Sequence, residues 1–228
     1  MDAGLLMLVD SRFPAGGHAY SAGVEAAVSI GDIVDSQTLE RYLLGRLATT
    51  GHVDAAFAAH TCAHLTGGSV EEMSQIVQTL DREYSARTPS PYLRSVSRRL
   101  GRQLLRPATR IWTSPGLSCV VAIDEGPHQP VALGAVVAAA GGNPADAAAL
   151  ACHHLTAAVM SAGVRLLGLD PIELAAVQER VGHLSDTFAA RASLWASMPP
   201  AELPAWGGSL TEILGEHHGS LPARMFVA

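Results

Sequence analysis

Histidines, carboxylates and hydroxyls are the groups in this chain that could do chemistry, and their spacing decides which chemistry is open to them. His60 and His64 are four apart, so on a helix they share a face and could grip one metal ion. No third acid or thiol stands at ligand spacing, and no Glu follows His60 as a zinc-protease motif requires. His153 and His154 are adjacent; on a helix they point about 100° apart, which suits packing better than chelation. Cys62, Cys119 and Cys152 are an odd, widely spaced set without a Cys-x-x-Cys pair. That argues against a disulfide framework or zinc finger and reads as three small buried residues. Ser11 and Ser21 sit near the carboxylates Asp10 and Glu25, so a small hydrolase with one of them as nucleophile is conceivable, but no orienting His–Asp pair accompanies them. All 15 cationic residues are arginine, so a Walker phosphate loop, which needs Gly-Lys-Ser/Thr, cannot exist here. No Gly-x-Ser-x-Gly elbow, His-Glu-x-x-His pair or dinucleotide loop occurs either.

The most densely punctuated stretch runs from Asp10 to Glu25. Pro14 fixes its own φ and biases Phe13 away from helix, while Gly16 and Gly17 open backbone conformations closed to other residues. A shaped loop is expected, with helix from about His18, covering Ala19 to Ile30. Loops of this kind carry contacts more often than core packing.

The elements that must position these groups are helices. Asp35 or Ser36 caps a helix with Leu39, Tyr42, Leu43 and Leu47 on one core-facing side. His52 to Leu65 follows, then Ser69-Val70-Glu71-Glu72 as a capping box for a helix ending near Arg87. Thr88-Pro89-Ser90-Pro91 breaks the chain before a helix from Tyr92 to Arg106, striped with Arg94, Arg98, Arg102 and Arg106. Such a stripe either grips an acidic partner or, more commonly, is a solvated face. Residues 111–127 read as a loop with a short helical turn. His128 to Gly141 is apolar, and Gly134 inside it implies close approach of a neighbouring helix. Asn143 caps, with Pro144 at the first position, a long helix to about Leu167 that is apolar nearly all round. Asp170-Pro171-Ile172-Glu173 starts another, reaching Ser197, and Leu210 to Glu216 form a short last helix.

Together these give an all-α fold, a single-domain helical bundle of roughly eight to ten helices over residues 1–228. Residues 199–208 form a Pro/Gly linker to a docking tail, 209–228. The 48% apolar content of 228 residues supports one sizeable core, and 5% aromatic content suits Ala- and Leu-rich helices. A net charge of -6 argues against nucleic acid as a partner. No apolar run of about 18 residues is evident, and Leu5 to Val9 is too short and lacks the basic flank of a signal peptide. A cytoplasmic protein without membrane contact is expected.

Several segments also carry a resemblance. Asp10-Ser11-x-Phe13-Pro14-x-Gly16-Gly17 followed by Ser21-x-Gly23-Val24-Glu25 resembles the N-terminal signature of the UreF family of urease accessory proteins, with His18 and Tyr20 where the family has Phe and His. Arg94-x-x-Ser97-x-x-x-Gly101, His128-x-Pro130-Val131-x-x-Gly134 and Ser161-x-x-Val164-Arg165-Leu166 resemble further family segments, in family order. The run after Leu166 departs, with Pro171 where the family's Gly-Pro-Leu-Gly-Gln would end. The tail resembles the family's closing segment through His218, Arg224, Met225 and Phe226, with Gly219 replacing a Glu.

The resemblance implies an all-helical homodimer that bridges UreD (also called UreH) and the GTPase UreG, in a GTP-dependent chaperone complex delivering nickel to the urease apoprotein. The chain itself is then an adaptor and not an enzyme. It needs no cofactor of its own, since nickel, GTP and magnesium are handled by the complex. Carried over by position, Asp10, Ser11, Phe13, Pro14, Gly16, Gly17, Ser21 and Glu25 belong to the surface offered to UreG. His218, Arg224, Met225 and Phe226 belong to the surface offered to UreD, and Arg165 to a dimer contact or the lining of a metal path. The alternative is a stand-alone helical protein binding nickel or zinc through some of its ten histidines.

Overall fold

In the computed structural model, which describes residues 3–10 and 12–227, the chain folds into α1 (Ala3–Val9), α2 (Val24–Ser29), α3 (Ser36–Ala48), α4 (Thr50–His64), α5 (Val70–Ala86), α6 (Pro91–Ile111), α7 (Pro115–Val121), α8 (Gln129–Ala139), α9 (Pro144–Leu167), α10 (Pro171–Ser193) and α11 (Ser209–Ser220), with three short 3-10 turns. No strand occurs among the described residues, so the all-α expectation holds; the helices number eleven rather than eight to ten. Most starts are written locally. Asp35, Ser69 and Asn143 each close a reciprocal capping box, with Thr38, Glu72 and Asp146 respectively. Asp170 caps α10 with Pro171 at its first position.

α4 lies at the centre, packed against α8, α9 and α10. Its Ala-rich sequence is buried on nearly every side from Gly51 to Cys62, because small side chains let neighbouring backbones come close. Gly134 of α8 shows why: a Cβ there would collide with the Ala58 carbonyl oxygen. α9 has the expected bounds, but against the expectation of no span-length apolar run it would suit a bilayer span by length and composition; 67% of its most apolar window is buried inside the protein. It is the core's second axis.

Three expectations are corrected. Helix does not run from Ala19 to Ile30: a 3-10 turn at Gly17–Ala19 is followed by Ala22 at φ 56 and Gly23 at φ 88, and α2 starts only at Val24. The left-handed Ala22 is held because its buried carbonyl accepts from Tyr42 Oη at 2.7 Å and from the Arg46 guanidinium. α6 runs through Pro107 to Ile111 instead of stopping at Arg106; the buried Leu104, Leu105 and Ala108 hold it together across the lost backbone bond. Past Ser193, α10 gives way to a 3-10 turn over Leu194–Ser197.

The arginine stripe is corrected in part: Arg106 is exposed, but Arg94, Arg98 and Arg102 bind groups of the protein itself. Arg94 donates to the Thr88 and Pro89 carbonyls, and Arg98 to Asp81 at 2.9 Å, Glu125 at 3.1 Å and the Gly126 carbonyl. Arg102 donates to the Glu125 carbonyl. Arg98 and Arg102 thus clamp the connection before α8 onto α6, while Arg94 holds the turn before α6. In the same region Ser97 accepts from the Gln129 N–H at 3.1 Å, and a Cβ on Gly101 would strike the Pro127 carbonyl.

Residues 199–208, expected as a linker, lie as a strap over α4 and α5. Leu203 is buried, Arg87 Nη2 donates to the carbonyls of Pro200, Ala201 and Leu203, and Trp206 stacks on His52 at 4.6 Å.

Candidate interaction site

Glu25 sits in the first turn of α2, where Ser21, fully buried, accepts from its backbone N–H at 3.4 Å. Its carboxylate points inward and is 9% exposed. Three donors converge on it from the far end of the chain: His218 Nε2 at 2.8 Å, the Met225 N–H at 2.5 Å and the Phe226 N–H at 3.0 Å. Burial acts to raise the Glu25 carboxyl, but the Met225, His218 and Phe226 donors outweigh it and hold the group below its usual range.

Tyr92, at the start of α6, completes the cluster. Its hydroxyl donates to the Val227 carbonyl at 2.5 Å, accepts from Arg224 Nη1 at 3.1 Å and lies 3.0 Å from His218 Nδ1. Phe226 is 4% exposed, and the Arg165 guanidinium of α9 lies over its ring, 4.2 Å from the centroid. The Val227 N–H donates to the Ala19 carbonyl at 2.7 Å.

α11 presents His218 by docking on α6. Glu212 accepts from the Ser90 N–H at 2.7 Å, and Glu216 accepts from the Ser90 hydroxyl and from the Tyr92 N–H. Two carboxylates at the start of α6 suit the positive end of its dipole.

Glu25, the tail residues His218, Met225 and Phe226, and Arg165, which the resemblance distributes over three surfaces, therefore form one cluster. Glu25 does not face solvent as a surface acid would; it is the acceptor that seats the tail, and Met225, 54% exposed, is what the tail turns outward. The rest of the opening loop stands apart. Asp10 pairs with Arg12 and is held to about 2 by it. Phe13 packs against Trp112 with ring centroids 6.2 Å apart, and Pro14 is exposed. Gly16 has φ 75, and a Cβ there would meet Gln103; Gly17 opens the 3-10 turn. Ser11 lies outside the described residues. Tyr92 escapes a reading of the sequence because nothing local to it signals a contact with residues more than a hundred positions away.

Other candidate groups are occupied structurally. The His60 and His64 rings stack at 4.2 Å, His60 Nε2 meets the Met198 carbonyl and His64 Nδ1 the His60 carbonyl. Burial pushes His60 down to about 4. His154 Nε2 meets the Leu8 carbonyl, and the buried Cys62 and Cys152 thiols are pushed up to about 12 by burial. No group of three or more His, Cys, Asp or Glu able to hold a metal occurs among the described residues. Ser85 Oγ lies 2.7 Å from His128 Nε2, a pair that no sequence motif announces. His128 is fully buried, pushed down to about 3 by burial and by Arg98 and Arg94, and its Nδ1 has no orienting partner, so it is a poor base.

Comparison with known proteins adds what geometry alone does not. A family model described as UreF matches residues 33–182. A protein described as "Urease accessory protein UreF" from Mycobacterium sp. (strain JLS) is 38% identical over 224 residues, 98% of this chain and 97% of the relative. Proteins of the same description from Mycolicibacterium vanbaalenii and Mycobacterium tuberculosis H37Ra are 39% and 33% identical, covering 95% and 98% of this chain and 94% and 97% of their own.

Proposed function

This chain belongs to the UreF family of urease accessory proteins, and from that premise we propose that it bridges UreD (UreH) and the GTPase UreG, as a homodimer, in a cytoplasmic complex that inserts nickel into the urease apoprotein. The reading makes the chain an adaptor: nucleotide hydrolysis belongs to UreG, and nickel is the cargo of the complex. The observation that carries it is the cluster in which the buried Glu25 carboxylate seats the tail through His218, Met225 and Phe226. An adaptor needs its two recognition segments in fixed relation, and here one carboxylate ties the opening loop to the tail. A partner on the exposed Arg224 and Met225 would act directly on the element that carries Glu25.

The test is co-expression of the chain with the UreD-like and UreG-like proteins of its source, followed by sizing with mass determination in GTP and magnesium. A co-eluting assembly containing all three is expected. Elution of the chain alone, with folded and soluble partners present, overturns the bridging role. The rival, a stand-alone nickel or zinc protein, predicts stoichiometric metal uptake by the isolated chain, whereas the adaptor predicts weak uptake or none.

A further inference from the structure

Between α4, α6 and α9 lies a cavity of about 280 Å3, near the lower end of the range for small-ligand pockets, about 300 Å3. Val53 and Asp54 of α4, Val96 and Leu100 of α6, and Leu155 and Ala158 of α9 line it. By exposed area the walls are mostly apolar, and Arg46, Thr50, Asp54, Tyr84, Arg87 and Ser97 are among the polar residues that line it. Gly17 and Ser161, both exposed, are among its lining residues.

Most of the charged groups around it are held by other parts of the protein, and the charge of Arg46 acts on Asp54. Asp10 is paired with Arg12, and Glu212 accepts from Ser90. Arg46 gives its guanidinium to Thr50 Oγ1, the Ala22 carbonyl and Tyr42 Oη. Arg87 gives Nη1 to Glu83 and Nη2 to the strap carbonyls, while its buried Nε has no hydrogen-bond partner. Asp54 differs: one carboxylate oxygen accepts from Tyr84 Oη at 2.6 Å, and the other has no protein donor among the described residues. A carboxylate oxygen left open in an apolar chamber favours a donor that brings charge, since a charge-assisted hydrogen bond is about twice as strong as a neutral one.

We propose that this cavity is a binding site for a small organic cation, a primary ammonium head on an apolar body, with Asp54 as its counter-ion. The ammonium meets the open Asp54 oxygen, and the body lies along Val96, Leu100 and Leu155.

Calorimetric titration of the full chain at about pH 7.5, where both amine and carboxylate are charged, with n-hexylammonium, n-hexanol and n-hexanoate tests this. Hexylammonium is expected to bind saturably at one site, about tenfold or more tighter than hexanol, with hexanoate weaker still. Asp54→Asn should erase the preference for the amine while leaving the helical circular dichroism unchanged, and Ala158→Leu should fill the chamber and abolish binding of all three. No saturable binding of hexylammonium, equal binding of the three probes, or a preference that survives Asp54→Asn overturns the proposal. If Ala158→Leu does not fold, the Asp54→Asn comparison decides alone.

Discussion

At the scale of single residues, the two inward carboxylates pull in opposite directions. Glu25 is held below its usual range in the folded chain, so the folded state binds its proton less tightly than the unfolded one. Its contribution is complete above the unfolded carboxylate value of about 4.3 and is lost as pH falls through the lower folded value. Glu25→Gln should weaken tail seating by about 1–3 kcal/mol. Faster amide exchange at Met225 and Phe226 near neutral pH, converging with wild type in acid, is the expected reading. Asp54 is raised to about 6, first by burial, against the lowering effects of Tyr84 and Arg46. The sign reverses: its stabilising effect is complete below the unfolded value of about 3.9 and lost as pH rises through about 6, so at neutral pH the charge costs stability. Asp54→Asn should raise stability at pH 7 by about 1–3 kcal/mol and have little effect near pH 4. Thermal unfolding of both proteins at the two pH values checks this; a gain independent of pH would place its origin elsewhere.

At the scale of elements, close approach and clamping decide the packing. Gly134→Val forces a side chain into the Ala58 carbonyl and Thr61, and should cost about 1–3 kcal/mol or more in urea unfolding as α8 lifts from α4. Arg98→Met leaves Asp81, 4% exposed, without its cation. A loss of about 3–5 kcal/mol is expected, read in the same unfolding curve. These features differ in how far the sequence disclosed them. The capping box at Ser69 and the caps at Asp35 or Ser36 and at Asn143 were legible because cap chemistry is local; that Thr38 and Asp146 close boxes as well is seen in the structure. Gly134 was legible because glycine weakens a helix interior, and its presence in an apolar helix points to a neighbouring backbone too near for a side chain. The late start of α2 was not, since Ala22 takes its left-handed conformation only with Tyr42 and Arg46 folded over it. The arginine stripe misled because spacing reports which face a side chain is on but not what loop returns to cover it.

For the whole molecule, the site was half legible. The segments at both ends could be picked out by their residue types, but nothing in a linear chain says that Glu25 and Phe226, 201 positions apart, share a hydrogen bond. That joining has a consequence for partner binding. Were the two ends separate surfaces, Glu25→Ala and truncation after Gly219 would each affect one partner; as one cluster, each should weaken association with both UreD and UreG while helical content is retained. Pull-down with each partner separately distinguishes the cases. Sedimentation of the isolated chain over a dilution series should show a dimer.

The seating of the tail also fixes an order of events during synthesis. Glu25 leaves the ribosome early, with α2, but the donors that satisfy it emerge only after α11 has been made. Until then its carboxylate must stay solvated and its end of the fold open to chaperones and proteases. Closing of this contact is therefore a late step of maturation, and a product that stops short of Met225 would keep the vulnerable, unlatched form of a chain still on the ribosome.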